Sequence, residues 1–200
     1  MKYAQVELGE LAQIQLGLTL RGSDASQHDP EGTHRLLRIS DVTPDGVLQW
    51  SQETLIKLEA STAEKAELKP GDVVVVARGA RMTAAVFQDE FSSVAGSQFC
   101  VVRCATGQID PTYLRFFLNL PQSQDALMAE SRGTYIRALS ARSLAQFRIP
   151  LPPLERQRLF ASLDGLRLQE KHLTTRLVEL RDQLTQQTLQ QALSGHHKIS

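Results

Sequence analysis

From Leu154 to Leu193 the chain runs without a proline and with a single glycine, Gly165. Within that run a three-four alternation starting at Leu159 falls on Leu163, Leu166, Glu170, Leu173, Leu177, Leu180 and Leu184, and only Glu170 is not leucine. This 3.5-residue repeat is the narrow seam of a coiled coil, not the wider apolar face that a helix turns to a globular core. After Leu184 the register falls on Gln187 and Gln191, so the line weakens or shifts toward Leu189 and Leu193. Pro152-Pro153 suits a helix start and Ser194-Gly195 a helix stop. Forty helical residues span about 60 Å, whereas a domain of this size is about 30–35 Å across. The distal half of the seam therefore needs a partner. A helix folded back on itself is the other solution, but no turn signal lies inside the run. The expectation is a homodimer through Leu163, Leu166, Leu173, Leu177, Leu180 and Leu184. Antiparallel pairing would put the two copies of the preceding domain at opposite ends.

The residues before the helix read as α+β, with the pattern changing near Pro150. Gly9 to Leu16 suggests a short amphipathic helix, with Leu11, Ile14 and Leu8 inward. The polar stretch from Gly17 to Gly32 reads as a loop. Leu36 to Ile39 is a short strand, followed by a hairpin signal at Asp45-Gly46. Lys69-Pro70-Gly71-Asp72 is a turn into Val73 to Ala77, a buried strand by its β-branched composition. Arg78-Gly79-Ala80-Arg81 turns the chain back into Ala84 to Phe87, and Gln98 to Cys104 forms another strand. Asp110-Pro111 pairs an N-cap with a proline at the first helical position. Leu139-Ser140 caps a further short helix, and Phe147 to Pro150 runs extended.

Charge and motifs exclude most chemistry. Lysine plus arginine and aspartate plus glutamate both number 22, a balance that argues against a simple basic nucleic-acid binder. The longest purely apolar run is Val73 to Ala77, far short of the roughly 20 residues that cross a bilayer. MKYAQVELGE at the start has no apolar signal segment. Two cysteines make no disulfide framework, and a cytoplasmic protein is expected. Gly17 to Gly22 is followed by Ser23-Asp24 where a phosphate loop needs Lys-Ser/Thr, and no strand is followed by GxGxxG. Pro152-Pro153 lies between Leu151 and Leu154, without the flanks of an amino-methyltransferase motif. Cys100 and Cys104 share one face of a strand, which suits core packing better than zinc. The chain is therefore expected to bind no metal and no cofactor, methyl donor included, and to be no enzyme.

Recognition chemistry remains. Arginine outnumbers lysine 16 to 6, and Ser131 to Leu154 holds four arginines and no acid. Arginine's planar fork suits guanine and phosphate. Arg78 and Arg81 flank a glycine-containing turn, and Arg132-Gly133-Thr134-Tyr135-Ile136-Arg137 mixes arginine, hydroxyl and aromatic groups. Arg21, in the polar stretch Leu20 to His34 with Ser23, Gln27 and His28, belongs to the alternative face. Against all of these stands the ordinary reading, a solvated arginine on a loop.

At the junction with the helix the sequence becomes specific. Ser131-Arg132-Gly133-Thr134, Leu139-Ser140 and Ile149-Pro150-Leu151-Pro152-Pro153-Leu154-Glu155-Arg156-Gln157 resemble the signature that closes a target-recognition domain in type I restriction-modification specificity subunits. Lys69 to Val75, Ala95-Gly96-Ser97 and Ile109 to Leu114 match the same family in the same order, and Leu189 to Gly195 resembles the end of its helix. The resemblance implies a mixed-sheet target-recognition domain over residues 1–150, a spacer or dimerisation helix over 151–195 and a tail over 196–200. It implies double-stranded DNA as ligand and a DNA methyltransferase (M) subunit modifying adenine N6 as partner. A restriction (R) subunit joins in systems that have one. Members carry two such domains and two helices packed antiparallel, so one of each implies a half-length form that pairs with itself on a bipartite target, or a shortened chain. Recognition contacts vary most within the family, so none is carried over. An accessory specificity or scaffold protein of another phage-defence system, working without a type I methyltransferase, is the competing reading; an adjacent adenine-methyltransferase gene discriminates.

Overall fold

The computed structural model describes residues 3–20, 28–50, 54–130 and 138–195. The chain divides into two compact units, Met1–Ala161 and Ser162–Ser200. The described elements are, in order, β1 (Gln5–Glu7), α1 (Leu8–Leu11), β2 (Ala12–Leu16), β3 (His34–Leu37), a 3-10 turn (Ile39–Asp41), β4 (Leu55–Ile56), α2 (Ala60–Ala66), β5 (Val73–Val76), β6 (Ala84–Val86), β7 (Ser93–Ala95) and β8 (Phe99–Cys104). Then follow α3 (Pro111–Leu118), α4 (Pro121–Glu130), α5 (Ala141–Ala145), β9 (Arg148–Pro150) and α6 (Leu154–Gly195). The fold is α+β with a mixed sheet and one long C-terminal helix, as the sequence predicts.

A four-stranded antiparallel sheet in the order β2-β8-β5-β6 organises the first unit. Because side chains alternate along a strand, the unbroken Val73–Val76 run feeds two cores. Val73, Val75, Cys100 and Val102 pack with Leu11, Leu114, Leu118, Leu127 and Leu144 of the helices. Val74, Val76, Phe99 and Val101 pack with Leu37, Phe87 and Ala95 on the other face. The second sheet, β4-β3-β7, is mixed: β3 runs antiparallel to β4 and parallel to β7. Gly17 and Gly96 let the two sheets' chains touch, since a methyl group at 17 would overlap the Gly96 carbonyl. A short ladder pairs β1 with β9, tying the start of the chain to the extended Arg148–Pro150.

The structure corrects the reading of Gly9 to Leu16. Only Leu8–Leu11 is helical, and Ala12–Leu16 is a strand whose Ile14 lies opposite Val102. Pairing with β8 gives those residues backbone partners that an isolated two-turn helix would lack. Leu8 and Leu11 are buried and Ile14 is half-buried. At the opposite edge β6 meets side-chain amides instead of a strand. Asn119 donates to and accepts from Ala84, and Gln124 does the same with Met82, both at 2.8–3.1 Å. These amides blunt an edge that would otherwise offer free backbone groups.

In the second unit α6 is one uninterrupted 42-residue helix. Leu163, Leu166, Leu173, Leu177, Leu180 and Leu184 are all exposed on it, as are Leu189 and Leu193 beyond the seam. Among the described residues no helix is long and apolar enough to cross a membrane.

Candidate nucleic-acid interface

The turn between β5 and β6 is the one place where the structure exposes two predicted recognition residues together. Arg78, Gly79, Ala80 and Arg81 are exposed, whereas Ala77 before them and Met82 after them are buried. Both ends of the turn are fixed. Ala77 donates to Gln98 O at 2.7 Å and accepts from Leu139 N at 2.8 Å. Met82 is held on both its backbone groups by the Gln124 side chain. Gly79 takes φ of +147°, a conformation that a side chain would strain. No carboxylate of the described residues pairs with Arg78 or Arg81.

Arg78 also forms an antiparallel bridge with Ala138. The turn thus meets the residue that follows Arg137 in sequence, so two segments singled out by their arginines are joined at their ends. Arg132, Tyr135 and Arg137 themselves lie outside the described residues, as does Arg21.

The motif residues at the helix junction are internal clasps. Gln157 is fully buried, and its Oε1 accepts from Asp110 N at 2.8 Å. Its Nε2 donates to Pro152 O at 2.8 Å and to Gln108 O at 3.1 Å. Asp110 caps α3 through Thr112 N and Tyr113 N. Tyr113 donates its hydroxyl to Pro150 O at 2.7 Å, and burial pushes that phenol up to about 12. Asp72 accepts from Lys69 N, and Arg103 grips both its oxygens at 2.8 and 2.6 Å. The hydrogen bond to Asp72 raises the Arg103 guanidinium further, against the opposing effect of burial. Gly71 turns with φ +95° between Lys69 and Asp72. Sequence finds these motifs; the bonds that give each residue its job need the fold.

One arginine cluster has no sequence signature. The Arg35 guanidinium lies 4.3 Å from the Phe91 ring centroid and 5.5 Å from that of Trp50. It donates to Asp89 at 3.1 Å, as does the Trp50 indole at 2.9 Å. The Phe91 backbone N–H holds the Asp89 carboxyl below the usual carboxylate range, partly offset by burial and reinforced by Trp50 and Arg35. Positions 35, 50, 89 and 91 come together only through folding, and Arg35 is spent inside the cluster.

Cys100 and Cys104 are free, and burial pushes their thiols up to about 11 and about 12. Both pack in the core between the four-stranded sheet and the helices. Among the described residues no three His, Cys, Asp or Glu side chains are grouped to hold a metal ion.

Residues 2–164 match the family model of the type I restriction modification DNA specificity domain. No curated protein matches the chain. The fold is similar to a chain in a structure on complex assembly and conformational transition of the type I R-M system, at 21% identity and a TM-score of 0.68 over 92% of this chain and 43% of that one. It is similar to the HsdS subunit from Thermoanaerobacter tengcongensis, at 18% identity and a TM-score of 0.59 over 88% and 39%. It is also similar to the S subunit of a type I restriction-modification system from M. genitalium, at 14% identity and a TM-score of 0.58 over 90% and 42%. The chain spans 39% to 43% of the length of these solved chains.

Proposed function

The chain belongs to the type I restriction modification DNA specificity domain family, and from that premise we propose that it reads DNA sequence and aims a separate adenine-N6 methyltransferase. The observation that carries this reading is the family match over residues 2–164. A fold whose motif residues are consumed in internal bonds, while Arg78 and Arg81 stay exposed on a fixed turn, supports it. The turn supplies guanidinium forks for base edges or phosphates without a competing carboxylate. No chemistry is assigned to the chain itself. Residues 1–150 are the recognition domain and 151–195 the spacer helix.

Two copies paired through the leucine seam would present two recognition domains, and a two-fold pair reads a bipartite inverted repeat. A balanced net charge suits a subunit whose DNA affinity is shared with its methyltransferase; a restriction subunit would join where the system has one. The test is reconstitution of the full chain with the adenine methyltransferase encoded beside it, on DNA of random sequence. Methylation confined to one two-part sequence is expected. Methylation without sequence preference, or the same pattern when this chain is left out, would overturn the proposal.

A further inference from the structure

We propose that α6 pairs with α6 of a second copy of this chain in a single antiparallel register, and that its charges, Glu170 above all, reject the parallel alternative. The inference rests on the self-pairing reading above and adds its geometry.

The seam is symmetric about the point between Lys171 and His172. A reversed second copy can therefore set Leu159 against Leu184, Leu163 against Leu180, Leu166 against Leu177 and Glu170 against Leu173, each layer occurring twice. Six of the eight layers are then leucine on leucine. Sliding one copy by a heptad, so that Leu166 meets Leu184, leaves four such layers in ten and sets Leu159 and Leu163 against Gln191 and Gln187. The slide in the other direction leaves Leu180 and Leu184 opposite Arg156 and Pro152. The symmetric register alone uses every exposed leucine of the seam.

Charge separates the two orientations. A parallel in-register pair sets Glu170 against Glu170 in one layer of the seam and Arg176 against Arg181 on both flanks. Like charges there are repulsive, and a polar residue at a seam position selects orientation and register at some cost in stability. The antiparallel pair removes all three clashes. Glu170 then faces Leu173, beside the Thr174 hydroxyl; Arg176 faces Gln169 and Arg181 faces Phe160. In this register the two Leu154 residues lie about 52 Å apart along the helix pair, from a rise of about 1.5 Å per residue.

Cysteine cross-linking of the full chain tests the register. Leu166→Cys and Leu177→Cys chains carrying different tags are mixed and oxidised. The mixed cross-link is expected, with neither variant cross-linking to itself. The unsubstituted chain controls for Cys100 and Cys104, whose raised thiols stay protonated at the pH of the reaction. In a Glu170→Leu/Arg181→Glu background the parallel form is relieved, and self-cross-linking of Leu166→Cys should appear. Self-cross-linking in the natural background, or pairing of Leu166→Cys with Leu184→Cys, overturns the register. Unchanged mixed cross-linking in the double variant overturns the role of the charges. A monomer by light scattering instead refutes the self-pairing reading itself.

Discussion

Replacing Gln157 with leucine removes a side chain that makes three hydrogen bonds to the backbone while being fully buried. Leucine fills a similar volume, so the loss is in polar partners. Asp110 N loses its acceptor at 2.8 Å, and the Pro152 and Gln108 carbonyls lose their donors at 2.8 and 3.1 Å. A buried group left without a partner costs about 1–3 kcal/mol. Gln108 is exposed and water can replace its donor, so two groups bear most of the cost and the sum is about 3 kcal/mol. For a chain of this size that is a drop in Tm of about 6–12 °C. Arg156→Ala, one residue away at an exposed position, should change stability by less than about 0.5 kcal/mol. Thermal and urea unfolding of the three proteins, read by circular dichroism, measure the difference. A loss below about 1 kcal/mol for Gln157→Leu, or an equal loss for Arg156→Ala, would refute the clasp.

Leu173→Ala with Leu177→Ala should weaken self-association by about 4–6 kcal/mol, because about half of each leucine is exposed and so left to bury, and four side chains per dimer contribute. That is roughly a thousandfold or more in Kd, measurable by sedimentation across a dilution series. Arg78→Ala and Arg81→Ala, tested in the methyltransferase complex at several salt concentrations, should each behave in one of two ways. A base contact costs about 1–3 kcal/mol and relaxes one position of the target; a phosphate contact weakens all sequences alike and reduces the salt slope by about one. Unchanged affinity and preference for both would move the DNA face elsewhere. Iodoacetamide at pH 9 should leave Cys100 and Cys104 unmodified in the folded chain and label both in urea, since burial raises their thiols to about 11 and about 12, above the ordinary 9.0. Rapid labelling of the folded chain would contradict their burial.

The elements legible in the sequence are those whose residues satisfy themselves locally. Val73–Val76 announces a strand buried on both faces, Asp110 and Ser140 do cap α3 and α5, and the leucine repeat marks α6. What escaped depends on distant partners. The strands β1, β4 and β7 are two or three residues long and exist through pairing with β9 and β3. In α4 only Ser123 and Leu127 are buried, too few for an apolar period to emerge. Ala12–Leu16 is short enough for helix and strand periods to fit equally well. Of the six residues singled out for DNA, only Arg78 and Arg81 fall among those described. The same locality limits the site: motif spacing marks Gln157, Asp110 and Asp72, but their partners lie 31 to 49 residues away.

Strand β5 separates two kinds of residue that composition cannot tell apart. At its start Asp72 is locked by Arg103 and the Lys69 backbone; beyond its end Arg78 and Arg81 are exposed. Six residues of extended chain put these sites about 20 Å apart. Net charge counts both kinds equally. Yet Arg35, Arg103, Arg148, Arg167 and Arg176 each have a carboxylate within 4 Å, and that pairing cancels much of their field. Arg78 and Arg81 have no such partner among the described residues. A chain with zero formal charge can therefore still offer positive potential at one place, held still by buried residues on either side. That arrangement suits a module that chooses sequence while a partner supplies most of the grip on DNA, because two guanidinium groups on a fixed turn discriminate geometry better than they accumulate affinity.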